Sequence, residues 1–543
     1  MKKLIALLLT VLMVLSLTAC ASKPVQVDPT EAPAETKAPA ADAPADEPAE
    51  PAEPAEEPAP EVDLSEHVTL VFYLPGDPPQ DEAAIEEALN EKLVEKFNTS
   101  IDFQFTTWTD YTTKYNNTLT TGGADMAYIA SWLNYQTLFN AGAFLELDDL
   151  LNNYAPDLRA LAGESMLDQC RVSGELYAIP ALWPEYVSTG ISYREDLRVK
   201  YDLPVPDSVE DAEAYFQGIR DNDPSQPVLR VIGATAGSTG CFTFDANYIV
   251  GFKYKWTTPD GLAYGFTSDR ENPDELYSYW FSEDFVEDCK LMKKWADAGF
   301  WSKSCLSDTN DPDSYKNGLT TAIIAGQNPN KHITNMNDFA SMHPDWETRY
   351  ITYGEVNGIL YPGHATQNGT ALIRGTKYPE RCMLVLQELM TNEEMNHLVQ
   401  CGREGIDYEI DENGLYKNLN ENFKYESLNT WDLRVSEYKL PQGTDLILQE
   451  MFDKYEAIGE TCKYPNVNIS GGFSEDYTEY QAERTAVMNV VAQYLVPIQA
   501  GLVEDVDAAI AEFQQKVMDA GLEVCRENYK AQWEAYCAEF NYD

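Results

Sequence analysis

Basic residues are scarce in this chain of 543 residues, which holds 38 lysines and arginines against 90 aspartates and glutamates. The formal net charge is −52 at pH 7. A surface of that sign repels nucleic acid and anionic lipid, because both bind proteins largely through cationic side chains. It also disfavours a highly anionic ligand, although one local pocket could override the global field. Composition therefore predicts no nucleic-acid partner and no adhesion of the protein surface to a membrane.

Motifs for cofactors, metals and several catalytic mechanisms are missing as well. The chain contains no Gly-x-x-x-x-Gly-Lys-Ser/Thr phosphate loop, no Gly-x-Ser-x-Gly elbow and no His-Glu-x-x-His pair. No CxxC pair occurs, and His332, His343 and His364 lack the spacing of metal ligands. We therefore expect no cofactor, no bound metal and no catalysis. An exported glycoside hydrolase stays open as an alternative, because so many carboxylates guarantee acid pairs somewhere.

Cysteine spacing gives no disulfide framework. Apart from Cys20, the cysteines are Cys170, Cys241, Cys289, Cys305, Cys382, Cys401, Cys462, Cys525 and Cys537. This odd number leaves at least one thiol unpaired in a monomer. We interpret most of them as small buried hydrophobic residues and assign no disulfide.

The only long apolar run lies at the N-terminus. Lys2 and Lys3 precede the apolar residues 4–15, a pattern that predicts a secretory signal peptide over residues 1–19. The run is too short to span a bilayer in the mature protein. Leu17-Thr-Ala-Cys20 resembles a bacterial lipobox, which implies cleavage before Cys20 and a diacylglyceryl group on its sulfur. The lipid would then be the only membrane anchor, at the outer face of the cell membrane; the alternative is an ordinary signal peptide with a chance cysteine.

A spacer follows the predicted anchor. Residues 20–63 consist mainly of alanine, proline and glutamate in near-repeats such as Glu47-Pro-Ala-Glu-Pro-Ala-Glu-Pro54. Such a segment has almost nothing to bury, so it should stay disordered with polyproline II character. At about 3.1 Å per residue it could reach on the order of 120 Å and hold a globular region away from the membrane.

The remaining residues, 64–543, have the hydrophobic patterns of an α/β fold and are too many for one small core. Five segments alternate strand and helix, which predicts the start of a doubly wound lobe: strands at 68–74, 101–105 and 124–130, and helices from residue 81 and at 111–121. Residues 506–540 have a helical pattern. Asp411-Glu-Asn-Gly414 predicts a hairpin turn rather than a calcium loop, because the later ligand positions are missing.

Several short motifs follow one another along this globular region. They are Trp108-Thr-Asp-Tyr111 with Gly122-Gly-Ala-Asp125, Gly142-Ala-Phe-Leu-Glu-Leu-Asp-Asp-Leu-Leu151 with Tyr154-Ala-Pro156, Gly174-Glu-Leu-Tyr-Ala-Ile-Pro180, Gly190-Ile-Ser-Tyr-Arg-Glu-Asp-Leu197, Gly402-Arg-Glu-Gly-Ile-Asp-Tyr408 and Gln532-Trp533. As an ordered set they resemble the extracellular solute-binding lipoproteins of ABC importers. The chain is most similar to the large Firmicute-type sugar-binding subgroup with a distinctive C-terminal region.

This resemblance implies a two-lobed α/β fold of the periplasmic-binding-protein type II, with the ligand in the cleft between the lobes. Lobe one would comprise residues 64–183 and 363–429, and lobe two residues 186–361 and 430–543. The ligand would be a small solute, in this subgroup an oligosaccharide, with a peptide as the alternative. The protein would work as a monomer, and its closed form would deliver the ligand to the permease subunits of an ABC transporter.

Candidate ligand contacts lie in loops at the ends of the predicted strands and near the lobe crossings, since open α/β sheets hold ligands at strand ends. Aromatic rings stack on the C–H faces of sugars, and polar side chains bind the hydroxyl groups. The candidates are Asp77, Trp108, Asp110, Trp132, Tyr135, Trp183, Glu185, Tyr186, Tyr361 and His364. Trp280, Trp295, Trp301 and Trp533 lie in or beside helical stripes and are expected in the core.

Overall fold

A computed structural model describes residues 61–542 apart from residues 109, 134, 173, 184, 187–188, 227, 231–238, 308–312 and 325. At residues 111–113 the backbone is described but the side chains are not. The predicted signal peptide, Cys20 and the spacer up to residue 60 lie outside the described residues. The described region falls within one unit of the chain, Ala59–Asp543.

The strands assemble into one five-stranded sheet and several smaller ones. The described strands are β1 (Val68–Pro75), β2 (Thr99–Thr106), β3 (Met126–Ile129), β4 (Arg171–Val172), β5 (Glu175–Leu176), β6 (Ile179–Pro180), β7 (Gly190–Arg194), β8 (Phe266–Asp269), β9 (Asn272–Ser278), β10 (Ala322–Ile323), β11 (Thr348–Thr352), β12 (Gly369–Leu372), β13 (Tyr408–Ile410) and β14 (Tyr416–Asn418). The five-stranded sheet has the order β2-β1-β3-β12-β6, and the three-stranded sheet has the order β10-β7-β11. In the larger sheet β1 runs parallel to β2 and β3, whereas β12 runs antiparallel to β3 and β6.

Helices connect and cover these sheets. The described α-helices are α1 (Glu82–Phe97), α2 (Tyr111–Thr120), α3 (Tyr135–Asn140), α4 (Asp148–Tyr154), α5 (Pro156–Ala162), α6 (Glu164–Gln169), α7 (Glu195–Lys200), α8 (Val209–Asn222), α9 (Glu283–Ala298), α10 (Pro329–Met342), α11 (Tyr353–Asn357), α12 (Pro379–Thr391), α13 (Glu393–Cys401), α14 (Asp445–Gly459), α15 (Gln481–Val490), α16 (Val496–Gln499), α17 (Val506–Asp519) and α18 (Leu522–Phe540). Short 3-10 turns occur between them, including Ser131–Leu133 and Trp431–Leu433. No helix in the described part of the chain is long and apolar enough to cross a membrane.

The predicted β-α-β-α-β start is confirmed. It corresponds to β1, α1, β2, α2 and β3, with bounds that differ from the predicted ones by one or two residues. The helical C-terminus is confirmed as α17 and α18. The hairpin at residues 411–414 is confirmed too, because Asp411 Oδ1 accepts hydrogen bonds from the backbone N–H groups of Asn413 and Leu415, at 2.7 and 3.0 Å. The Asp411 carboxylate thus stabilises the turn itself.

Two large hydrophobic cores divide the described region into two lobes, as predicted, and a third, small cluster contains Tyr315, Ile323 and Phe339. The first core lies on the five-stranded sheet and includes Phe72 on β1, Leu89 on α1 and Leu386 on α12. The second core contains Trp280, Trp295, Trp301 and Trp533, each no more than 5% exposed. These four tryptophans are therefore core residues, as their place in or beside helical stripes predicted.

One predicted lobe boundary needs correction. Leu433 and Val435 are buried in the first core, whereas the predicted boundary places residues 430–543 in lobe two. The reason is that the turn Trp431–Leu433 packs against β12, where Thr370 Oγ1 donates a hydrogen bond of 2.6 Å to Asp432 Oδ2. The chain thus stays with the first lobe beyond Thr430, and Tyr438 still packs against the first core and donates a hydrogen bond of 3.0 Å to Thr391 O.

Three segments connect the lobes and are hydrogen-bonded to one another. Leu182, in the first crossing, donates its N–H to Arg434 O at 2.8 Å and accepts a hydrogen bond of 2.9 Å from the N–H of Ser436. Gly363, in the second crossing, donates its N–H to Glu185 O at 2.6 Å. The first crossing therefore lies between the other two, and the three segments are joined side by side.

Candidate ligand-binding site

One edge of the five-stranded sheet collects most of the predicted contact residues. The carboxyl ends of β1, β2, β3 and β6 meet there, and β12 begins at the same edge because Gly369 pairs with Ile129 and Pro180. Asp77 follows β1, Trp108 and Asp110 follow β2, Trp132 follows β3, and Trp183 and Glu185 follow β6. This is where ligands bind in open α/β sheets.

A tryptophan cluster lies at this edge, made of Trp108, Trp132 and Trp431 with Tyr128 beside them. The ring centroid of Trp108 lies 6.2 Å from that of Trp132 and 6.1 Å from that of Trp431, and both pairs are stacked. Tyr128 meets Trp132 and Trp431 edge-on, at 6.0 and 6.2 Å. Trp132 is 39% exposed, so the cluster presents an open aromatic surface.

Trp431 was missed by the sequence analysis. It lies 323 positions after Trp108 in the sequence and reaches the edge only through the turn Trp431–Leu433 against β12. Its position beside the predicted boundary at residues 429 and 430 is the one sequence signal that could have suggested it.

Gly76 allows Trp108 to approach β1. Its φ is +103°, and a Cβ atom there would lie 2.6 Å from Asn429 Nδ2 and 3.2 Å from Trp108 Cε2. Asn429 in turn donates a hydrogen bond of 3.4 Å to Asp77 O. The absence of a side chain at position 76 is therefore part of what places the tryptophan cluster.

Gly76→Ala is expected to lower the free energy of unfolding by about 1–3 kcal/mol more than Gly375→Ala, because overpacking adds to the shared backbone strain. Gly375 is a matched control, since its φ is +110° and a Cβ atom there would meet nothing within 4 Å. Urea unfolding of both variants measures the difference. Equal losses would mean that the contact with Asn429 and Trp108 does not matter.

A chain of polar contacts connects the tryptophan cluster to the lobe crossings. Tyr128 OH donates to Asn368 Oδ1, and Asn368 Nδ2 donates to Glu185 Oε2 at 2.9 Å. Arg434 Nη1 donates to Glu185 Oε1 at 2.6 Å, and Arg434 also forms a two-bond ion pair with Glu426. Arg434 is 8% exposed, so these charges compensate one another largely out of contact with water.

Burial and neighbouring charges shift the pKa values of this network in opposite directions. Burial raises the pKa of Glu185, while Arg434 and the hydrogen bond from Asn368 counteract that rise. Burial disfavours the charge on Arg434, but Glu426 and Glu185 more than offset it and raise the pKa of the guanidinium. Arg434 also lies over the rings of Trp183 and Trp431, at 5.5 and 5.9 Å from their centroids. It therefore links the aromatic and ionic parts of the edge.

Asp432 lies beneath the edge, fully buried, and burial raises its pKa to about 7. Thr370 donates to its Oδ2, and Oδ1 has no hydrogen-bond partner among the described residues. Between about pH 4 and about pH 7 the folded state keeps a proton that the unfolded state has released. This group therefore lowers the free energy of unfolding as pH rises through that interval.

Asp432→Asn is expected to stabilise the protein more at about pH 8 than at about pH 5, because it removes the charge whose burial is unfavourable only at the higher pH. The asparagine carbonyl can still accept the hydrogen bond from Thr370. Urea unfolding of both proteins at the two pH values measures the effect. A stability difference that does not change with pH would contradict the raised pKa.

A cavity of ≈ 550 Å³ opens beside the tryptophan cluster, between the two lobes. Lobe one contributes Trp183, Gln367 and Asn368, the second crossing contributes His364, and lobe two contributes residues 466–468 and the C-terminal aromatic residues Tyr536, Phe540 and Tyr542. Its volume is that of a small-molecule binding site. Gln367 joins the cavity to the tryptophan cluster, because Trp132 Nε1 donates to Gln367 O at 3.0 Å.

Three of the predicted contact residues line this cavity: Trp183, Glu185 and His364. Trp183 Nε1 is buried and has no hydrogen-bond partner among the described residues. His364 Nδ1 lies 2.9 Å from Thr366 Oγ1, and burial lowers the pKa of His364 to about 4, so its ring is neutral at physiological pH. The cavity therefore contains an unused donor and an uncharged imidazole.

The structure does not bring the other candidates together at this site. Tyr135 is 4% exposed because its ring stacks on Phe144 at 5.3 Å, so it is a core residue and the expectation for it is corrected. Tyr186 packs against Phe452 and Tyr455 of α14, at 5.4 and 5.9 Å.

The last three candidates do not join the tryptophan cluster either. Tyr361 lies apart from it, and Asp110 and Asp77 lie at its margin. Tyr361 donates to Thr257 O at 3.0 Å and lines a separate cavity of ≈ 40 Å³. Asp110 is paired with Lys114 at 2.6 Å, and Asp77 is exposed at the rim. Among the described residues, no group of His, Cys, Asp and Glu side chains is arranged to hold a metal ion.

Comparison with known proteins gives one family match and several structural ones. A family described as "Domain of unknown function (DUF3502)" matches residues 469–538, a segment that contributes Gly472 and Tyr536 to the cavity. No curated protein matches the chain.

Solved structures match along most of the chain. The N-glycan transport solute-binding protein NgtS of Streptococcus pneumoniae, in complex with Man1GlcNAc, has a TM-score of 0.68 and 19% identity, covering 86% of this chain and 99% of that one. An extracellular solute-binding protein of Bifidobacterium longum subsp. infantis has a TM-score of 0.60 and 14% identity, covering 86% and 98%. FusA of S. pneumoniae, an ABC-transporter substrate-binding protein in complex with kestose, has a TM-score of 0.56 and 12% identity, covering 87% and 99%. The two-lobed binding-protein fold is thus confirmed.

Proposed function

We propose that this protein is an extracellular solute-binding protein that captures an oligosaccharide between its lobes and delivers it to the permease of an ABC transporter. The observation that carries the proposal is the tryptophan cluster continuous with an amide-lined cavity. Stacked indole rings suit the C–H faces of sugar rings, and the uncharged amides of Gln367 and Asn468 at the cavity wall suit their hydroxyl groups. The names of the matched binding proteins, which mention N-glycan transport and bound kestose, support the same class of ligand.

The lobe arrangement supports capture by closure. The cavity has walls from both lobes, so a ligand that contacts both walls stabilises the closed form more than the open one. The crossings that contain Leu182, Gly363 and Ser436 then act as the hinge. The closed form is the species that a permease would recognise.

Binding is a better interpretation of this edge than glycoside hydrolysis. A glycosidase needs a proton-donating carboxylic acid and a second free carboxylate across the scissile bond. Glu185 and Glu426 are both bound by Arg434, and Asp432 is enclosed in the core. The most deeply placed carboxylates at the edge are thus held in structural contacts, while the matched structures are binding proteins.

A thermal-shift screen of residues 20–543 tests the proposal. A ligand at a hundred times its dissociation constant should add about 2.7 kcal/mol to the free energy of unfolding. We expect stabilisation by an oligosaccharide that is recovered uncleaved. Stabilisation by peptides alone would retain the fold and overturn the sugar assignment, and cleavage of the sugar would favour the enzyme.

The location at the membrane is a separate part of the proposal and rests on Cys20 in the sequence. Cys20→Ser should release the full-length protein from the membrane into the medium, because the lipid is the proposed anchor. Fractionation of cells followed by immunoblotting measures the release. Continued membrane association of the variant would contradict the lipid anchor but not the ligand-binding proposal.

A further inference from the structure

The charges around the cavity point to one class of sugar. We infer that the ligand is an uncharged glycan and that carboxylated forms of the same glycan are rejected. This inference rests on the proposed function and narrows it. The sequence alone left open a cationic pocket that would override the net charge of −52. The structure shows which charged side chains lie at the cavity and what each of them binds.

Binding of an acidic sugar needs a cation with donors to spare, typically an arginine whose two-pronged face is free. Arg171 lines the cavity but gives two hydrogen bonds to Asp148, at 2.7 and 2.8 Å, one to Asp168 at 3.0 Å and one to Gly174 O. Arg434 is held between Glu185 and Glu426. Both guanidinium groups are therefore already neutralised by protein carboxylates.

Two lysines at this edge of the sheet are neutralised in the same way. Lys439 lies over the ring of Trp183 at 5.3 Å and forms an ion pair of 2.5 Å with Asp445. Lys114 forms an ion pair of 2.6 Å with Asp110. The residues between 61 and 542 whose placement is not described contain no lysine, arginine or histidine in the sequence, so none of them supplies the missing cation.

Negative charge is in excess at the cavity wall. Glu185 and Asp168 line the cavity, and Arg434 is shared between two carboxylates. His364, the one imidazole at the wall, is neutral at physiological pH. Arg270, which pairs with no carboxylate among the described residues, lies behind Val467; it is fully buried and donates to Val467 O and Tyr464 O, so it does not line the cavity. A ligand carboxylate would therefore face like charges with no free cation among the described residues of the cavity wall.

Neutral hydrogen-bonding groups take the place of cations. Gln367, Asn368, Asn466 and Asn468 all line the cavity, and none of them is charged. The Asn368 amide is already bound to Tyr128 and Glu185. Gln367 and Asn468, in contrast, each carry an amide with both a donor and an acceptor. Hydroxyl groups are donors and acceptors too, so amides pair with them without a fixed sign of charge. The lining is therefore suited to an uncharged polyhydroxyl ligand.

The test compares matched glycans on the wild-type protein. Neutral probes are oligomers of mannose and N-acetylglucosamine, fructo-oligosaccharides and neutral milk oligosaccharides. Each is tested beside the same glycan with one primary hydroxyl oxidised to a carboxylate, and beside the methyl ester of that acid. The ester restores neutrality while adding bulk, so it separates charge from size. Tryptophan fluorescence and calorimetric titration give the dissociation constants.

We expect the acid to bind at least ~100-fold more weakly than the neutral parent and the ester to recover most of that loss. The inference would be overturned if the acid bound as tightly as the neutral parent, or if the acid and the ester lost the same amount of affinity. Either result would leave the proposed function intact. If no glycan of any charge binds, the proposed function fails and the inference with it.

Two variants locate the effect at the cavity. Glu185→Gln and Asp507→Asn remove one negative charge each, but Asp507 lies on the surface of α17, where it pairs with Lys290. Glu185→Gln should reduce the ratio between the acid and neutral dissociation constants by about tenfold, and Asp507→Asn should leave it unchanged. An equal change in both variants would assign the discrimination to the net charge and overturn the local explanation.

Discussion

Replacing Arg434 by methionine is expected to lower the free energy of unfolding by about 3–5 kcal/mol, because one partner is removed from a buried ionic network. Methionine retains the aliphatic volume but leaves Glu185 and Glu426, with side chains 16% and 18% exposed, facing each other without a cation. Arg349→Met is the matched control. Arg349 pairs with Glu347 at the surface, where both side chains are more than half exposed, and such pairs contribute at most about 1 kcal/mol.

Chemical unfolding of both variants measures the two losses. A triple variant, Arg434→Met with Glu185→Gln and Glu426→Gln, should recover much of the stability, since it removes the unpaired charges as well. A loss for Arg434→Met no larger than that for Arg349→Met would show that the network is not a significant source of stability. Failure of the triple variant to recover would assign the loss to packing against Trp183 and Trp431 instead.

Replacing Trp108 by alanine should raise the dissociation constant of the glycan by about 30-fold or more, as expected for a central aromatic contact. Trp108 stacks on both Trp132 and Trp431, so its removal takes away a ring and loosens its neighbours. Tyr277→Ala is the control, because Tyr277 is 44% exposed on β9 of the second lobe and lines neither cavity.

Titration with the glycan identified in the screen measures this effect, and unfolding of each variant separates it from loss of structure. Trp183→Ala should also weaken binding, since Trp183 lines the cavity. If Trp108→Ala and Trp183→Ala both leave the affinity unchanged, the ligand does not bind at this edge of the sheet.

The sequence could predict the elements whose hydrophobic pattern is local. The β1 strand is buried almost throughout, so its sequence is an apolar run. The helix α1 buries Ile85, Leu89 and Leu93 along one face. The rule that ligands lie at strand ends then predicted that Trp108, Trp132, Trp183 and Glu185 share one edge of the sheet, the edge proposed here to bind the ligand. These residues follow their strands directly, so chain order was enough to locate them.

The rest of the site depends on contacts between distant parts of the chain. Arg434 meets Glu185 across 249 positions, and Trp431 reaches Trp108 only because the turn Trp431–Leu433 packs against β12. No periodicity carries that information. Tyr135 and Tyr186 share the residue type of a sugar contact, but Tyr135 stacks on Phe144 in the core and the half-buried Tyr186 packs against Phe452 of α14, which local sequence does not reveal.

The nine buried cysteines have a practical consequence for following how this protein opens. All nine are buried, and burial raises the pKa of most of them, so a thiol reagent reaches none of these nine sulfurs until the surrounding structure separates. Cys170 and Cys382 belong to the first core, while Cys241, Cys289 and Cys525 belong to the second. The rates at which these sulfurs become labelled thus report how fast each lobe opens. The natural cysteines serve as the probes, so no label site has to be added.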